Sequence, residues 1–280
     1  MPLQRGKIRM TRKGSFSSGH RYWDDSLSEG ANRALFGSWA SPYSHGHNYT
    51  LYATVEGVVD PQHGMICNIK LIDQAMKAKV INRFDQKSLN DEVDYFKTHS
   101  PSLENLLTFI KAELTAPGVL PSEAPLVGIR LQEIPHLYGE LNLKDNWKMT
   151  ITRIYDFCAG HRLHNPALSD AENLDLYGKC FNPAGHGHNY VLEVSVEGEP
   201  DPRSGMLINL YDLDKIVEAE IVDRYDHKNL NVDVPELVGK IPTCENVAQT
   251  IFSILKERLP VKLARVRLQE TPKNIFEVAA

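Results

Sequence analysis

The sequence predicts an α+β protein made of two tandem copies of one unit. The first observation is an internal repeat, in which matching motifs recur at a constant offset of 141 residues, the distance from His20 to His161. The second is the order of elements within a copy, which runs strand, strand, strand, helix, helix, strand. The third is that helices grouped on one face of an antiparallel sheet define the α+β class.

The repeat is visible as pairs of short motifs. Three pairs share the offset of 141 residues: Gly19-His20-Arg21 with Gly160-His161-Arg162, His45-Gly46-His47-Asn48-Tyr49 with His186-Gly187-His188-Asn189-Tyr190, and Glu104-Asn105 with Glu245-Asn246. Near the ends, the motif closing on Glu133 matches the one closing on Glu270 at an offset of 137 residues. The four extra residues of the first copy fall in the Pro- and Gly-rich stretch 115–125. We therefore expect two domains, residues 1–141 and 146–280.

The elements of the second copy follow in chain order. The pattern predicts strands at 148–158, 189–197, 206–210 and 261–270, and helices at 211–222 and 244–259. The polar stretch 162–185 predicts a long excursion that ends at the second histidine motif, and 201–205 predicts a hairpin turn. Thr243 is a natural N-cap for the second helix, which has to end before Pro260.

The amino-acid composition argues against several classes of protein. Apolar residues make up 42% and charged residues 24% of the 280-residue chain, as in an ordinary soluble globular protein. The net charge of −5 gives no basis for nucleic-acid binding, and no apolar run reaches the roughly 18 residues of a membrane helix. Residues 1–12 are basic but lack the apolar core of a secretory signal. Four irregularly spaced cysteines indicate a reducing compartment, so we expect a cytoplasmic protein.

The histidines predict a metal site in each copy. Side chains alternate faces along a strand, so the two histidines of each His-Gly-His motif point the same way. A third histidine precedes them by 25 residues in both copies, which gives the sets His20, His45, His47 and His161, His186, His188. Three imidazoles with an open fourth position are typical of catalytic zinc, although copper, nickel or iron would also accept them.

Other residues of the second copy are candidates for proton transfer. Cys180 lies in a polar loop six residues before His186, and a nearby metal and Lys179 would favour its thiolate. Asp226 beside His227 is able to orient the imidazole as a proton shuttle. Glu270 closes the last strand, where a buried carboxylate is able to accept two hydrogen bonds from an N–C–N edge. The remaining cysteines are predicted to be packing residues: Cys67, Cys158 and Cys244.

These motifs carry a family resemblance. The stretch from Cys180 to Tyr190, with its Asn-Pro-x-Gly-His-Gly-His-Asn-Tyr core, resembles 6-pyruvoyl tetrahydropterin synthase, and the motifs around His161, Asp226, Thr243 and Glu270 extend the match. It covers nearly all of residues 149–277. The first copy resembles the same family over 11–140 but departs from it at the positions of the family's active-site residues. The cysteine falls at Trp39, the histidine at Gln86, and the basic residue before the cysteine at Ser38.

The resemblance implies a tunnelling fold, in which a four-stranded antiparallel sheet with two helices assembles side by side into barrels. It also implies homo-oligomers, here three chains forming a pseudo-hexamer. The implied reaction converts 7,8-dihydroneopterin triphosphate into 6-pyruvoyl tetrahydropterin and triphosphate. The resemblance implies that the three histidines of the second copy bind zinc and that Cys180 is the base. Asp226 and His227 relay protons, and Glu270 anchors the pterin with Thr243 and Glu245 near it. Candidates for the triphosphate are Lys179, Arg162 and Lys228.

The first copy is expected to be catalytically silent. The indole of Trp39 is a donor only and cannot act as a base. The hypothesis is that this copy completes the barrel as a structural partner, retains its metal, and lends Glu133 or Asp85 to a neighbouring site.

Two alternatives remain open. One is 6-carboxytetrahydropterin synthase, which uses the same substrate; the Asn-Pro-x-Gly insert favours the pyruvoyl branch. The other is a metal- and pterin-binding protein without turnover, against which the complete set of Cys180, Asp226 and His227 argues. A purely scaffolding role gives no reason for that intact set.

Overall fold

The computed structural model describes residues 6–280, which divide into two compact units. Unit 1 holds the described residues up to Ile151 together with Gly198–Asn209, and unit 2 holds Thr152–Glu197 and Leu210–Ala280. The predicted first domain starts at residue 1, and its residues 1–5 lie outside the described part of the chain. Both units combine antiparallel strands with helices, which confirms the α+β class.

Unit 1 is a sheet with the strand order β5-β4-β2-β1-β3. Its strands are β1 (Ile8–His20), β2 (His45–Gly57), β3 (Lys87–Ser88), β4 (Leu126–Ile134) and β5 (Leu137–Asn142). Its helices are α1 (Glu29–Phe36), α2 (Ile69–Met76), α3 (Asn82–Phe84), α4 (Leu89–Glu92) and α5 (Leu103–Thr115). The β1–β2, β2–β4 and β4–β5 pairs are antiparallel, and the short β3 joins β1 in parallel.

The core of unit 1 lies on one face of the sheet. Side chains alternate along β2, so Tyr49, Leu51 and Val55 are buried. Helix α5 packs on β4 and β5 and adds apolar side chains such as Ile110. The Phe16 ring stacks on Tyr49 with centroids 5.0 Å apart. Each such side chain stabilises the fold by about 1.5–3 kcal/mol when fully buried. A one-residue slip of a strand would expose this whole set, which fixes the register.

Unit 2 has the strand order β6-β7-β9-β10, with β8 paired to β6. Its strands are β6 (Lys148–His161, from Thr152 onward), β7 (His186–Gly198), β8 (Lys228–Asn229), β9 (Lys262–Thr271) and β10 (Asn274–Ala279). Its helices are α6 (Asp170–Tyr177), α7 (Leu210–Val217), α8 (Asp223–Tyr225) and α9 (Cys244–Arg258). The predicted alternation along β7 is confirmed, since Tyr190, Leu192, Val194 and Val196 are all fully buried.

The helices largely follow the prediction. Helix α9 begins at Cys244, and the Thr243 hydroxyl accepts a hydrogen bond from the Asn246 N–H, so the predicted N-cap is confirmed. The helix predicted at 211–222 begins at Leu210 and continues after α7 as a π-helical turn, Glu218–Val222. No helix within residues 6–280 has the length and apolarity to cross a membrane.

One predicted strand, 206–210, is wrong. Met206, Leu207 and Ile208 are buried in a loop, because their apolar side chains pack while the backbone bonds to side chains. The Met206 N–H donates to Ser204 Oγ and the Leu207 N–H to Glu104 Oε1, where a strand would pair with a neighbouring backbone. The hairpin strands β5 and β10, which follow β4 and β9, were not predicted.

Candidate metal centre and active site

Three histidines converge in each unit at the ends of two paired strands. In unit 1, strand pairing sets His20 opposite His45, and Ser18 opposite His47. In unit 2, His161 is the last residue of β6, while His186 and His188 open β7. Within each set of three, one ligand atom per histidine lies within 4.8 Å of the others. The predicted histidine sets therefore come together as two groups able to hold a metal ion.

A hydrogen bond to the backbone fixes the first histidine of each set. The Nδ1 atom of His161 donates to the Pro242 carbonyl oxygen at 2.8 Å, and Nδ1 of His20 donates to the Pro101 carbonyl at 2.8 Å. Because Nδ1 carries the proton, Nε2 presents its lone pair to the group. Metal-bound histidines ordinarily make such a bond through the other ring nitrogen.

The electrostatics of the two groups suit a cation. Burial lowers the pKa of His161 and of His186, and it lowers the pKa of His20 to about 3. These imidazoles are therefore neutral, which is the form that binds metal. Within residues 6–280 the Nε2 atom of His20 has no hydrogen-bond partner. Nε2 of His161 lies 3.2 Å from Nε2 of His186, close enough for both nitrogens to bind one ion. The residues present fit a metal ion.

The dyad of Asp226 and His227 is held by the backbone of Cys158. One Asp226 oxygen accepts from the Cys158 N–H at 2.7 Å and the other from His227 Nδ1 at 2.7 Å. These two bonds, the first the larger, lower the pKa of Asp226. His227 has a φ of 55° and donates its N–H to the Cys158 carbonyl. The imidazole is thus oriented by the carboxylate with Nε2 directed away from it.

Cys158 itself corrects the sequence prediction, which made it a packing residue. It is exposed, and its thiol donates to Asn189 Oδ1 at 3.3 Å. It sits on a strand, where a cysteine is ordinarily buried, but its side of the sheet faces a cleft. The first copy has Ser17 at the same position, bonded to Asn48 Oδ1 at 2.8 Å. Cys67 and Cys244 are buried, as predicted.

One cleft of about 660 Å³ in unit 2 joins the metal centre to the dyad. Its lining includes His188, Glu270, His227 and Lys228. Glu270 Oε1 lies 3.7 Å from His161 Nε2 and 3.8 Å from His188 Nε2. Thr243 and Glu245 are not among the described residues that line this cleft. The structure therefore brings together the metal group, the dyad and Glu270, with one predicted phosphate candidate, Lys228.

Cys180 lies in the 3₁₀ turn Gly178–Phe181 and is half-buried. Burial and then the negative charge of Glu270 raise the pKa of its thiol. A cation on the nearby histidines would act in the opposite direction and favour the thiolate. The carbonyl of Cys180 accepts from the Leu163 N–H at 2.8 Å, which holds the turn against the end of β6.

Sequence reasoning missed what supports this turn. Ser169 and Glu172 form a capping box at the start of α6, the helix that leads into the Cys180 turn. The Ser-x-x-Glu spacing is the signal that would have found it. Arg162, a predicted phosphate candidate, donates to the Phe181 carbonyl at 3.0 Å and lies over the Phe181 ring. Its guanidinium is therefore engaged in supporting the same turn.

The first copy has the same backbone contacts around this site, but it lacks the cysteine and the histidine of the dyad. Asp85 accepts from the Ser17 N–H at 2.9 Å, and Gln86, with a φ of 58°, stands where the second copy has His227. The Trp39 ring stacks on Tyr22 at 6.3 Å between centroids. Glu133 is buried, with Oε1 3.5 Å from His47 Nε2.

Comparison with known proteins places both copies in one family. The sequence model described as 6-pyruvoyl tetrahydropterin synthase matches residues 9–142 and again 150–280. The human 6-pyruvoyl tetrahydrobiopterin synthase is 50% identical over 126 residues, which is 45% of this chain and 87% of the human protein. A putative 6-carboxy-5,6,7,8-tetrahydropterin synthase of Archaeoglobus fulgidus is 34% identical over 112 residues, 40% of this chain and 89% of that one. The solved Caenorhabditis elegans 6-pyruvoyl tetrahydropterin synthase is 46% identical and covers 47% of this chain and 94% of its own, with a TM-score of 0.45.

Proposed function

Because the chain belongs to the 6-pyruvoyl tetrahydropterin synthase family, we propose that its second copy converts 7,8-dihydroneopterin triphosphate into 6-pyruvoyl tetrahydropterin and triphosphate. Family membership makes the chain an enzyme of the pterin synthase type, a lyase. One observation supports the assignment to the second copy: His227, which Asp226 orients through a hydrogen bond, lines the same cleft as His188 and Glu270. The first copy has the matching strands and histidines without this dyad.

The metal we propose is zinc, held by His161, His186 and His188, with a second ion on His20, His45 and His47. Three neutral imidazoles and an open position are the donor set of catalytic zinc. The chemistry that the ion supplies when bound is Lewis-acid polarisation of the substrate's side-chain oxygens, which acidifies the adjacent C–H.

We propose the following roles for the residues of the second copy. Cys180 takes the carbon-bound proton as general base. His227, oriented through Nδ1 by Asp226, moves protons to and from the substrate side chain through Nε2. Glu270 presents its carboxylate to the amidine-like edge of the pterin ring. Thr243 and Glu245 stand near the start of α9 as further substrate contacts, and Lys228 faces the triphosphate.

For the first copy we propose a structural role without turnover. Trp39 and Gln86 replace the base and the shuttle, and the indole occupies space that a substrate would need. Its histidine group is retained for stability. We further propose a cytoplasmic homo-oligomer in which three chains form a pseudo-hexamer of family units, with no nucleic-acid or membrane partner.

A second candidate activity is 6-carboxytetrahydropterin synthesis from the same substrate. The similarity to the Archaeoglobus fulgidus protein named for that activity favours it. The higher identity to proteins named 6-pyruvoyl tetrahydrobiopterin synthase favours the first proposal.

A product assay tests the proposal and ranks the candidates. The zinc-loaded chain is incubated with 7,8-dihydroneopterin triphosphate, and the pterin is identified by mass spectrometry. We expect 6-pyruvoyl tetrahydropterin, with turnover reduced roughly 10²- to 10⁴-fold in Cys180→Ala, since that is the usual contribution of a general base. Cys158→Ser is the matched control, because the first copy already carries serine there with the same hydrogen bond, and it should retain the activity.

The other outcomes reject parts of the proposal. A 6-carboxy product moves the chain to the second candidate. Tight pterin binding without any product means that the chain is a binding protein, and the enzymatic proposal is then wrong.

A further inference from the structure

The two copies contain the same loop in different surroundings. In segment 57–68, the Asp60 N–H donates to the Met65 carbonyl at 2.9 Å and the Gly64 N–H to the Asp60 carbonyl at 2.8 Å. In Gly198–Asn209 the corresponding bonds are Asp201 to Met206 at 2.9 Å and Gly205 to Asp201 at 2.7 Å. Gly64 has a φ of 72°, and Gly205 has a φ of 74°. The two loops therefore have one conformation, yet Met65 is 45% exposed and Met206 only 4%.

Met206 is buried because its loop is seated in unit 1. The Ser102 hydroxyl donates to the Gly205 carbonyl at 2.6 Å, and the Leu207 N–H donates to Glu104 Oε1 at 2.8 Å. The Met206 side chain joins a buried apolar cluster with Tyr22, Phe36 and Ala40, against which Trp39 packs. Two backbone hydrogen bonds and one apolar side chain thus hold the loop.

Unit 2 presents the same receiving surface without an occupant from its own residues. Thr243 and Glu245 stand at the start of α9 as Ser102 and Glu104 stand at the start of α5. The N-cap conformations match, with φ and ψ of −67° and 156° for Thr243 and −72° and 160° for Ser102. Glu104 is buried, whereas Glu245 is exposed.

The apolar part of this surface is also present. Leu163, Tyr177 and Phe181 occupy the positions of Tyr22, Phe36 and Ala40, and Cys180 occupies that of Trp39. Leu163 and Tyr177 are only half-buried, unlike the fully covered Tyr22 and Phe36. A methionine seated here would lie where Met206 lies in unit 1, beside the Cys180 turn.

We propose that segment 57–68 of one chain docks on unit 2 of a second copy of this chain. The Gly64 carbonyl accepts from the Thr243 hydroxyl, the Ile66 N–H donates to the Glu245 carboxylate, and Met65 covers Leu163 and Tyr177. The donor loop already has the seated conformation in the free chain, so docking costs little ordering. Thr243 and Glu245, proposed above as substrate contacts, thereby also anchor the partner chain at the rim of the active site.

Two consequences follow for the assembly. The contact is heterologous, since each chain offers a loop from one copy and a receiving surface from the other, and such contacts close into rings when the rotation allows. The Cys180 turn is covered only when a neighbour supplies Met65. The inference deepens the proposed function and rests on it only for the role of Cys180.

Two measurements on the zinc-loaded chain test the proposal: its native mass, and the crosslinks that form between its copies. Met65→Glu places a charge in the contact, and we expect its native mass by light scattering to fall to that of a single chain. Leu143→Glu is the matched control, because Leu143 is 46% exposed, like Met65, and lies outside the segment; its mass should stay that of the parent. Circular dichroism verifies folding of both variants.

The second measurement replaces Met65 with an uncharged photo-crosslinking side chain. We expect covalent dimers whose linked peptides fall in 163–181 or 243–247. An unchanged mass for Met65→Glu, an absence of covalent dimers, or links to other peptides overturns the proposal. Turnover is assayed separately: dimers with the expected links and no turnover reject the proposed reaction alone, whereas turnover without those links rejects the docking alone.

Discussion

The first and second copies are the same scaffold with different contents. In both copies an aspartate carboxylate accepts a hydrogen bond from a backbone N–H of the first strand. The Ser17 N–H donates to Asp85, and the Cys158 N–H donates to Asp226. In both, the next residue adopts a left-handed conformation, 58° for Gln86 and 55° for His227. Strand register and backbone hydrogen bonds therefore place the matching residues of the two copies, while single side chains distinguish one copy from the other.

The two histidine groups give the largest expected difference between the copies. We expect His161→Ala to lose one metal ion per chain and all detectable turnover, because removing one of three ligands disrupts the centre. We expect His20→Ala to lose one ion per chain and keep turnover, since Trp39 and Gln86 stand in the first copy where the second has Cys180 and His227. Metal per chain by elemental mass spectrometry, alongside product formation, measures both. Equal losses of turnover would show that the first centre serves catalysis.

The matched aspartates, Asp226 and Asp85, give the second largest expected difference. In Asp226→Asn, the group facing His227 Nδ1 becomes either an amide N–H donor or an amide oxygen that accepts more weakly than the carboxylate. The proton is then no longer held on Nδ1 as firmly, which disturbs the tautomer of His227. We expect kcat to fall by roughly 10²- to 10³-fold, within the range for one proton-transfer group, with a changed pH–rate profile.

Asp85→Asn is the control, because Asp85 holds the Ser17 N–H and has no histidine beside it. Its kcat should equal that of the parent. A comparable loss in this variant would mean that the first copy lends Asp85 to a live site.

The paired glutamates differ in burial, and this predicts a stability effect. Burial raises the pKa of Glu104 to about 7, although the Leu207 N–H opposes the shift. The unfolded chain releases this proton near pH 4.5, so ionisation of Glu104 weakens the fold progressively from about pH 4.5 to pH 7. Above that range Glu104→Gln should raise the free energy of unfolding by about 1–3 kcal/mol, less than the full cost of ionisation because the amide accepts a weaker hydrogen bond.

Denaturant unfolding at pH 4 and pH 8 measures this. The gain should be present at pH 8 and absent at pH 4. Glu245→Gln, at the matching position in unit 2, is exposed and should show no such gain in a single chain. Both variants are compared in the Met65→Glu background, where no partner chain covers Glu245, and an equal gain there would contradict the burial argument.

The smallest expected effect comes from restoring the first copy. Trp39→Cys with Gln86→His supplies the missing base and shuttle, but removing the indole opens the cluster around Tyr22 and Phe36. We expect turnover per chain to change by less than about twofold, since a fully equal second site would do no more than double it. Substrate sites per chain are counted by titration calorimetry, and two sites in the parent would contradict a purely structural first copy.

Much of the fold was readable from the sequence. The repeat, the alternation along β7, the N-cap at Thr243 and the two histidine groups follow from local rules of period and capping. Strand 206–210 was predicted wrongly because an apolar run buries equally well in a strand or in a seated loop. Cys158 was wrongly predicted to be a packing residue, because residue type says nothing about which face of a strand meets a cleft.

From the sequence alone it follows that there are two copies, that each has three histidines, and that only the second has the cysteine and the Asp-His pair. Which groups share a cleft, and which glutamate is buried, is visible only in the folded chain. Glu104 and Glu245 have the same place at the start of a helix, yet one is covered by Gly198–Asn209 and the other is exposed. The physical reason is that burial and pKa depend on atoms distant in the chain, which a local motif does not encode.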